Sequence, residues 1–414
     1  MRNVTKYLSI LIVGTALVPM TANAAGFYVQ EISSSSAGAA NAGAAAMPRD
    51  ASVIFHNPSA ITHLDGAQVN GALHLLYTDT ELVDQGSTIG GFATSLSGFG
   101  DDGGNPGGLT TIPNLYGALP ITDTNDVWLG IGLTTPFGLG PEYDNGFFGS
   151  LLVTEADLSV IDITPSIAYQ VNDYLSLGLS GIVQYAELNY QFAAVTAPVG
   201  SRRVTADDVS LGYKVSATLT PNDDLTVGLQ YRSRTNLDFE GDLDVATALT
   251  TSAAGTLNLP DIATFGISYD VNDKWTVMGG VEWFGWNETD VATIRTGLGS
   301  NLPVAFNYEN TINVSVGAEY KYDDTWTLRA GYQYDETPTT AQSRSPLNPD
   351  GDRHWIAAGA TQTINEKWSL DYGVTYIDIE DANINRTLAA GTAVIAEGTD
   401  SFAVIGTVGV NYKF

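Results

Sequence analysis

The sequence predicts an all-β fold, a fourteen-stranded antiparallel transmembrane β-barrel plugged by an N-terminal hatch. Three observations predict it: many segments alternate apolar and polar residues, short Asn/Asp-rich turns recur at a nearly constant interval, and a segment of different composition precedes the first strand. Strands with one apolar face and one polar face are typical of outer-membrane barrels. The predicted organisation is a signal peptide over 1–24, the hatch over 25–66 and the barrel over 67–414.

Composition excludes several classes of protein. The 414 residues include 17 Lys and Arg against 46 Asp and Glu, a formal net charge of −29. This balance argues against a nucleic-acid partner, which requires clustered bases to neutralise phosphates. The absence of Cys excludes a disulfide scaffold, a thiol nucleophile and Cys-ligated zinc. A hydrophobic share of 44% is too high for a disordered chain.

The first 24 residues have the pattern of an export signal. Two basic residues precede a largely apolar stretch over 8–20, and Ala-Asn-Ala at 22–24 matches the small-x-small pattern at which signal peptidase cuts. The alternative is a transmembrane helix, which requires about 20 apolar residues. We therefore expect an exported chain whose mature form begins at Ala25.

Alternation is clearest at the C-terminal end of the chain. The even-numbered residues from Phe402 to Phe414 form one mostly apolar face, and the odd-numbered residues form another that becomes polar towards Lys413. The same period of two occurs over 209–219, 225–232 and 368–376. A soluble sandwich would bury the apolar face in its core, whereas a membrane barrel turns it towards lipid.

The spacing of the turns favours the barrel over the sandwich. Successive short turns start 42 to 51 residues apart, which is one hairpin of a large barrel. Six such turns join twelve strands, and one more strand on each side brings the count to fourteen. The opposite segments, such as 79–108 and 337–352, are long and rich in Gly, Asp, Ser and Thr. The turns lie at 122–126, 171–173, 221–224, 271–274, 322–325 and 364–367.

Aromatic residues follow several of these turns, which is typical of an interfacial girdle. A barrel of fourteen strands also encloses a lumen too wide for wall side chains to fill, so it must be plugged or open. Segment 25–66 is the candidate plug, because Gly permits close backbone approach and its apolar residues are unusual for a linker. The alternative is a flexible linker of small residues. The aromatic residues are Trp128, Tyr174, Trp275, Trp326 and Trp368.

A series of short motifs runs through the mature chain. They are Ala25-Gly26-Phe27-Tyr28, Asp50-Ala51-Ser52, Phe55-His56-Asn57-Pro58-Ser59, Pro113-Asn114-Leu115-Tyr116, Thr135-Pro136-Phe137-Gly138-Leu139, Tyr231-Arg232-Ser233, Leu259-Pro260-Asp261 and Asp352-Arg353-His354-Trp355. With these motifs in this order, the chain resembles the FadL-type family of outer-membrane transporters of long-chain fatty acids and aromatic hydrocarbons. The resemblance implies a fourteen-stranded barrel with an N-terminal hatch. The family's hatch usually has Asn-Pro-Ala, where this chain has Ser59 in the third position.

The third predicted strand is the candidate exit for an apolar solute. Such a solute needs apolar surfaces in series, since burial is favoured over water by about 25 cal/mol per Å². Pro136 cannot donate to the sheet and Gly138 has no side chain, so together they should kink the strand and open a gap. From the residues alone, a Pro and a Gly at the start of a loop are an equal alternative. The resemblance implies an inward kink that forms a lateral opening beside the hatch.

Two groups of residues are candidates for ligand binding. Phe147, Phe148 and Leu151 of an outer loop could form an exposed capture patch, or the loop could pack on itself. The resemblance implies that this loop helps to form a first, loose groove. Inside the barrel, a tighter pocket is expected from Phe27, Ile54, Phe55 and Phe137. The full predicted set is Phe27, Ile54, Phe55, Asn57, Pro58, Pro136, Phe137, Gly138, Leu139, Phe147, Phe148 and Leu151.

The class of ligand stays open between a fatty acid and a neutral hydrocarbon. A carboxylate in an apolar pocket needs a basic partner, because an unpaired buried charge is costly. Residues 185–192 in the fifth strand include no base, and the tenth strand carries Glu309. The remaining basic candidates are Arg202, Arg203, Arg232 and Arg234.

Two other functions compete with hydrophobic transport. A general porin would pass small polar solutes, and a barrel enzyme would act on lipid. An enzyme of the lipase type needs a Ser, a His and an acid in reach, but the chain has four His and no Gly-x-Ser-x-Gly elbow. Acidic loops could hold Ca²⁺ loosely, although solvated loops explain the same residues. We therefore expect a passive outer-membrane transporter that acts as a monomer among outer-membrane lipid, without catalytic residues, metal, cofactor or nucleic acid.

Overall fold

The computed structural model describes residues 26–94, 100–194, 200–246, 249–289, 291–299, 301–389 and 391–414. The predicted signal peptide over 1–24 lies outside these ranges. Among the helices in these ranges, none is both long and apolar enough to cross a membrane.

Fourteen antiparallel strands form a closed barrel, which confirms the predicted fold class. Each strand pairs with the next, and the last pairs with the first from Gln68 opposite Lys413 to Asp84 opposite Ala396. In chain order the strands are β1 (Gln68–Asp84), β2 (Gly108–Pro120), β3 (Val127–Leu139), β4 (Glu155–Asn172), β5 (Leu175–Ala194), β6 (Gly200–Asn222), β7 (Leu225–Arg232 and Thr235–Val245), β8 (Leu249–Leu259 and Ile262–Asn272), β9 (Trp275–Phe284 and Val291–Thr296), β10 (Asn301–Ala305 and Thr311–Lys321), β11 (Trp326–Asp335), β12 (Arg353–Thr363), β13 (Trp368–Ile379 and Ala382–Ala389) and β14 (Thr392–Lys413).

The short turns and long loops lie at opposite ends of the barrel. Each of the six predicted short turns joins two consecutive strands. The segment 79–108 is less of a loop than expected, because β1 continues to Asp84 through its pairing with β14. The rest of that segment includes a small hairpin of Thr88–Ile89 and Phe92–Ala93.

The barrel has an apolar outer face and a largely polar lower interior. In β1, Leu73 and Leu75 point outwards and are exposed, whereas Asn70 and His74 point inwards and are buried. This is the reverse of a soluble sandwich, in which the apolar face is buried. In lipid the outward face needs apolar side chains, and every backbone amide must be paired within the sheet.

The aromatic residues that follow the turns do not all join the outer girdle. Tyr174, Trp275 and Trp368 are 61%, 46% and 45% exposed on the outer face. Trp128 is buried, so the expectation that it belongs to the girdle is wrong. The alternation of β3 turns its side chain inwards, where Nε1 donates to the carbonyl oxygen of Asn125 at 2.8 Å.

Residues 26–66, which we call the N-terminal segment, are almost entirely buried. The segment contains α1 (Ser34–Ala37), α2 (Val53–His56) and a 3-10 helix over Pro58–His63. The Ser33 side chain accepts from the amide of Ser36 at 3.3 Å and caps α1. Helix α1 contacts β1 and β12–β14, while the 3-10 helix contacts β3–β6. The segment therefore reaches opposite sides of the barrel interior.

Glycines on the inner wall allow the N-terminal segment to approach the strands closely. A Cβ atom added to Gly331 of β11 would overlap the carbonyl oxygen of Ala39. In the same way, a Cβ atom at Gly228 of β7 would overlap the carbonyl oxygen of Ala45. Since these carbonyls belong to the backbone, a side chain at either position would displace the segment itself.

Replacing Gly331 by Val should loosen the N-terminal segment, because the new side chain overlaps the Ala39 backbone. Overpacking of this kind costs about 1–3 kcal/mol. We expect ionic conductance in planar bilayers that the unmodified protein lacks. Gly406→Val is the matched control, since a Cβ atom there meets no atom within 4 Å. Equal conductance of the two variants would show that the segment does not depend on this contact.

Candidate functional site

The wall of the barrel has a break between the upper parts of β2 and β3. The ladder between these strands ends where Leu115 pairs with Leu133. Both strands are described over their full length, and above this point they share no further pair. β2 continues to Gly108 with β1 as its only partner strand. The break is therefore a local loss of pairing in an otherwise continuous sheet.

The upper part of β3 bends away from β2 at an irregularity in its pairing with β4. The register shifts between Thr134 and Phe137, so that one extra residue of β3 is accommodated as in a bulge. Pro136 lies within this shift and has no amide proton to give to a neighbouring strand. Of the two residues predicted to kink the strand, Pro136 lies within the irregularity, and Gly138 pairs with Ser159 just beyond it.

The N-terminal segment pairs with the bent part of β3. The amide of Val29 donates to the carbonyl oxygen of Pro136 at 2.8 Å, and the amide of Gly138 donates to that of Phe27 at 2.9 Å. Between these two bonds, one residue of each chain faces the other in an antiparallel bridge, Tyr28 opposite Phe137. Residues 27–29 therefore supply the backbone partners that β2 does not.

Side chains of β2 hold the next residues of the same segment. Asn114 Nδ2 donates to the carbonyl oxygen of Glu31 at 2.8 Å, and the Tyr116 hydroxyl donates to that of Ile32 at 2.9 Å. Residues 27–32 thus span the break, with backbone bonds to β3 on one side and side-chain bonds to β2 on the other.

Phe27 lies at the centre of a cluster of aromatic rings. Its ring centroid is 4.9 Å from that of Trp286, 5.9 Å from that of Phe306 and 6.2 Å from those of Phe137 and Tyr308. The side chain is fully buried. Edge-to-face contacts of this kind add about 0.5–1.5 kcal/mol per pair beyond area burial.

An apolar cavity lies beside Phe27, towards the outer ends of β3–β10. Its volume is about 70 Å³, and its lining is almost entirely apolar. None of the lining side chains carries a charge. They are Phe27, Leu139, Ala156, Leu158, Leu188, Tyr190, Val204, Ala206, Phe239, Ala253, Ala254, Thr256, Leu257, Ala292, Ile294, Val304, Phe306 and Leu347, together with the backbone of Gly255.

A second cavity of about 60 Å³ shares part of its lining with the first and is more polar. The two share Tyr190, Val304, Phe306 and Leu347, and the second adds the half-buried side chain of Arg386. Further lining residues with polar side chains are Tyr308, Ser343, Ser345 and Asn348.

Arg386 of β13 is held by backbone carbonyls. Its NH1 group donates to Gln342 and Ser343 at 3.0 and 2.9 Å, and its NH2 group donates to Ala305 at 2.6 Å. Within the described ranges, no carboxylate lies in ion-pair distance of this guanidinium. A half-buried positive charge therefore adjoins an apolar cavity without an acidic partner.

The structure brings only some of the predicted site residues to the cavity. Phe27 and Leu139 line it, and Phe137 packs against Phe27. Ile54 lies lower in the barrel, where it fills the space over Gly130 of β3. Phe55 also lies lower, where its carbonyl oxygen accepts from Lys214 at 2.8 Å. Neither is part of the cavity wall.

Asn57 and Pro58 belong to the framework of the N-terminal segment. Asn57 Nδ2 donates to the carbonyl oxygen of Ala45 at 2.7 Å and to Thr218 Oγ1 at 2.9 Å. Its Oδ1 accepts from the amide of Ser59 at 3.2 Å and caps the 3-10 helix, which Pro58 begins. These contacts position the segment against β6.

Phe147 and Phe148 are buried, so the expectation that they form an exposed patch is wrong. The Phe147 ring stacks on that of Tyr143 at a centroid distance of 3.8 Å, and Phe148 packs against Phe147 at 4.6 Å. The Tyr143 hydroxyl donates to the carbonyl oxygen of Pro346 at 2.8 Å, which ties this loop to another outer loop. Leu151 is half-buried. The loop therefore packs on itself, which is the alternative to an exposed patch given in the sequence analysis.

Sequence reasoning missed most of the cavity wall, although a signal was present. On the inner face of β4, Ala156, Leu158 and Val160 are followed by Asp162 and Thr164. In the outer third of this strand the apolar side chains therefore point inwards, while Glu155, Asp157 and Ser159 lie on the other face, an arrangement that a water-filled lumen does not require. The same change occurs in β7, and it would have located the cavity.

Charged pairs fix the lower part of the N-terminal segment to the wall. Arg49 Nε lies 2.8 Å from Glu319 Oε2 of β10. Arg329 of β11 donates to the carbonyl oxygen of Ser35 at 2.9 Å and lies 3.4 Å from Asp371. Within the described ranges, no group of three or more His, Asp and Glu side chains is arranged to hold a metal ion.

Comparison with known proteins gives similarity over nearly the whole chain. A family model described as "Outer membrane protein transport protein (OMPP1/FadL/TodX)" matches residues 15–414. The long-chain fatty acid transport protein of Escherichia coli O6:H1 (strain CFT073) is 26% identical over 449 aligned residues, which cover 98% of this chain and 98% of that protein.

Two solved structures have a similar fold. The crystal structure of a Pseudomonas aeruginosa FadL homologue has a TM-score of 0.85 at 22% identity, covering 95% of this chain and 100% of that chain. The crystal structure of the P. putida toluene transporter TodX has a TM-score of 0.70 at 17% identity, covering 88% and 94%. At these identities the likeness concerns the fold.

Seating of the N-terminal segment should weaken as pH rises. Burial raises the pKa of Glu31 from its ordinary value of 4.5 to about 7, and Arg353 offsets only part of this rise. The buried carboxyl is therefore favoured in its protonated form, and stability is lost as pH rises from about 4.5 to about 7. The full loss is about 3 kcal/mol, at about 1.4 kcal/mol per pKa unit.

Hydrogen exchange of the Val29 amide, which is bonded to Pro136, measures this effect. After correction for the intrinsic exchange rate, its protection should fall by about 100-fold between pH 5 and pH 8. Glu31→Gln should abolish the change. The same pH dependence in the Gln variant would assign it to another group.

Proposed function

The chain belongs to the OMPP1/FadL/TodX family of outer membrane transport proteins, and we propose that it carries long-chain fatty acids passively across the outer membrane. The observation that carries the proposal is the uncharged apolar cavity that adjoins an arginine without an acidic partner among the described residues. A fatty acid has a matching form, an apolar chain with one carboxylate at its end.

The first step in the proposed function is capture of the chain by the apolar cavity. Burial of apolar area is favoured by about 25 cal/mol per Å². The cavity opens towards the outer loops, and Leu347 of the loop between β11 and β12 forms part of its wall. A polar solute would gain nothing from such a lining, which is an argument against the general porin.

Arg386 is the proposed partner of the carboxylate. A guanidinium has five N–H donors, and backbone carbonyls take three of those of Arg386. The two that remain belong to Nε and NH2, which share one edge of the group. A carboxylate can accept from both in the bidentate geometry that makes Arg–carboxylate pairs strong.

The second candidate ligand is a neutral hydrocarbon. It is supported by the uncharged lining of the main cavity, which would hold such a molecule without a head-group site. The names of the compared proteins include both classes, long-chain fatty acids for the E. coli protein and toluene for that of P. putida. Arg386 favours the acid, since a hydrocarbon would leave its charge without a role.

Release is proposed to occur sideways, through the break between β2 and β3. Residues 27–32 fill this break, so we propose that residues 25–66 act as a hatch whose first part must move. Two backbone bonds hold residues 27–29 to β3. Each contributes about 0.5–1.5 kcal/mol net, which thermal opening can overcome.

Replacing Arg386 by Gln should weaken oleate binding by about 10-fold or more, because a hydrogen bond to a charged group contributes about 1.5–3 kcal/mol. Binding to the purified protein and uptake by cells lacking their own transporter should both fall. Toluene and n-alkane uptake should stay unchanged. The control is Arg203→Gln, an exposed arginine of β6 that pairs with Glu155 at 3.2 Å. Equal losses for oleate and the hydrocarbons would contradict a head-group role.

A disulfide between positions 28 and 137 should close the lateral route. Tyr28 and Phe137 face each other in an antiparallel bridge, where Cα atoms lie about 4.5–5.5 Å apart, within disulfide range. The chain has no Cys, so Tyr28→Cys/Phe137→Cys would form the sole bond. Oxidation should stop oleate uptake, and a reductant should restore it.

The control for this experiment is Leu179→Cys/Val215→Cys. These residues are paired neighbours on the outer face of β5 and β6, where the ladder is continuous. Oxidation of this pair should leave uptake unchanged. Uptake that persists in the fully oxidised 28–137 variant would remove the lateral route from the proposed function.

A further inference from the structure

Two basic side chains are buried side by side below the apolar cavity. Lys214 of β6 and Arg232 of β7 are register partners, and their exposed fractions are 0% and 2%. Arg232 NH1 donates to Asp162 Oδ2 at 2.6 Å. Lys214 Nζ donates to the carbonyl oxygen of Phe55 at 2.8 Å and lies 4.1 Å from the centre of the Phe55 ring.

The strand register places this basic pair at the level of the break. Asp162, which holds Arg232, is paired with Thr134 at the start of the β3 bulge. The Arg232 guanidinium carbon is 5.4 Å from the centre of the Phe137 ring. On the inner face of β4, Asp162 follows Leu158 of the cavity wall by two inward positions. The pair therefore lies between the cavity and the gap in the wall.

The hydrogen bonding around the pair is incomplete. Asp162 is satisfied on both oxygens, because Gln184 Nε2 donates to its Oδ1 at 2.7 Å. Arg232 NH2 is buried and has no acceptor among the described residues. Leaving a buried charged donor without a partner is costly, so the position calls for a further acceptor.

Lys214 is held by a backbone carbonyl and an aromatic ring and not by a carboxylate. Within the described ranges, no carboxylate lies within 4 Å of Lys214 Nζ. Glu282 of β9 is occupied elsewhere: it accepts from Thr264 at 3.0 Å and from Asn313 at 3.1 Å, and lies 3.9 Å from His56. Asp162 is thus the single carboxylate that contacts either base.

We propose that Lys214 and Arg232 form a second carboxylate site, which receives the head group of a long-chain acid as its chain leaves through the break between β2 and β3. The inference rests on the function proposed above. A chain that enters the membrane sideways draws its carboxylate from Arg386 down into the barrel interior. An unpaired carboxylate there would be costly, and this pair supplies both the charge and a free donor.

The test neutralises the site without leaving a buried charge alone. Arg232→Gln with Asp162→Asn keeps donors and acceptors in place but removes both charges. We expect oleate uptake to fall at least tenfold, with oleate binding at the Arg386 site changed by less than twofold. Uptake of oleyl alcohol, which has a similar chain and no charge, should not change. The control neutralises the exposed Arg203–Glu155 pair in the same way.

Two further variants separate charge from structure. Lys214→Gln retains a donor for the Phe55 carbonyl and should lower oleate uptake while sparing the alcohol. If the double variant does not fold, Lys214→Gln alone still allows oleate uptake to be compared with oleyl alcohol uptake. Arg232→Lys alone keeps a positive charge beside Asp162. This variant should therefore retain most of the oleate uptake of the unmodified protein.

Three outcomes would overturn the inference. Equal losses for oleate and oleyl alcohol would make the pair a structural element of the barrel. Unchanged oleate uptake in both neutral variants would remove the site from the route. Uptake of the alcohol but not of oleate by the unmodified protein would overturn the proposed function, and this inference with it.

Discussion

The structure depends on one constraint, that backbone amides in lipid must be paired within the protein. Thirteen consecutive pairings and the closure of β14 on β1 satisfy it. At the top of β3 the pairing with β2 ends. The N-terminal segment supplies the missing backbone hydrogen-bond partners. A strand edge that would otherwise face lipid or water unpaired is thereby covered. Residues 27–29 and the break in the wall are thus linked, since each supplies backbone partners to the other.

The same segment links the cavity to the break. Phe27 lines the cavity with its side chain, while its carbonyl oxygen accepts from Gly138 at the bend of β3. A ligand can shift the segment only if it interacts differently with the paired and the released state. Phe27 is placed to provide that difference, because its ring forms part of the cavity wall and a chain in the cavity contacts it. In the proposed function, filling the cavity and opening the wall are therefore coupled through this residue.

The sequence alone predicts the barrel but little of the candidate site. Strand number, the six turns and the irregularity at Pro136 follow from local rules, the alternation of side chains and the missing proline donor. The cavity wall does not, because its residues come from eight strands that only closure brings together. Loop residues were harder still: stacking of Phe147 on Tyr143 is a tertiary contact that their hydrophobicity cannot distinguish from exposure. Arg386 was overlooked because its missing acidic partner is evident only in three dimensions.

The distribution of charge inside the barrel bears on the direction of movement. The chain is acidic overall, yet two bases without a carboxylate partner within the described ranges lie near the proposed route, Arg386 beside the cavity and Lys214 at the level of the break, next to the Asp162-paired Arg232. Elsewhere in the described interior, bases such as Arg49 and Arg329 are neutralised by Glu319 and Asp371 and serve the packing of the segment. Burying a base without a carboxylate partner costs desolvation free energy, and binding of an anion can offset this cost. In the proposed function, the fatty-acid carboxylate is that anion at both places, and its concentration gradient alone sets the direction of transport.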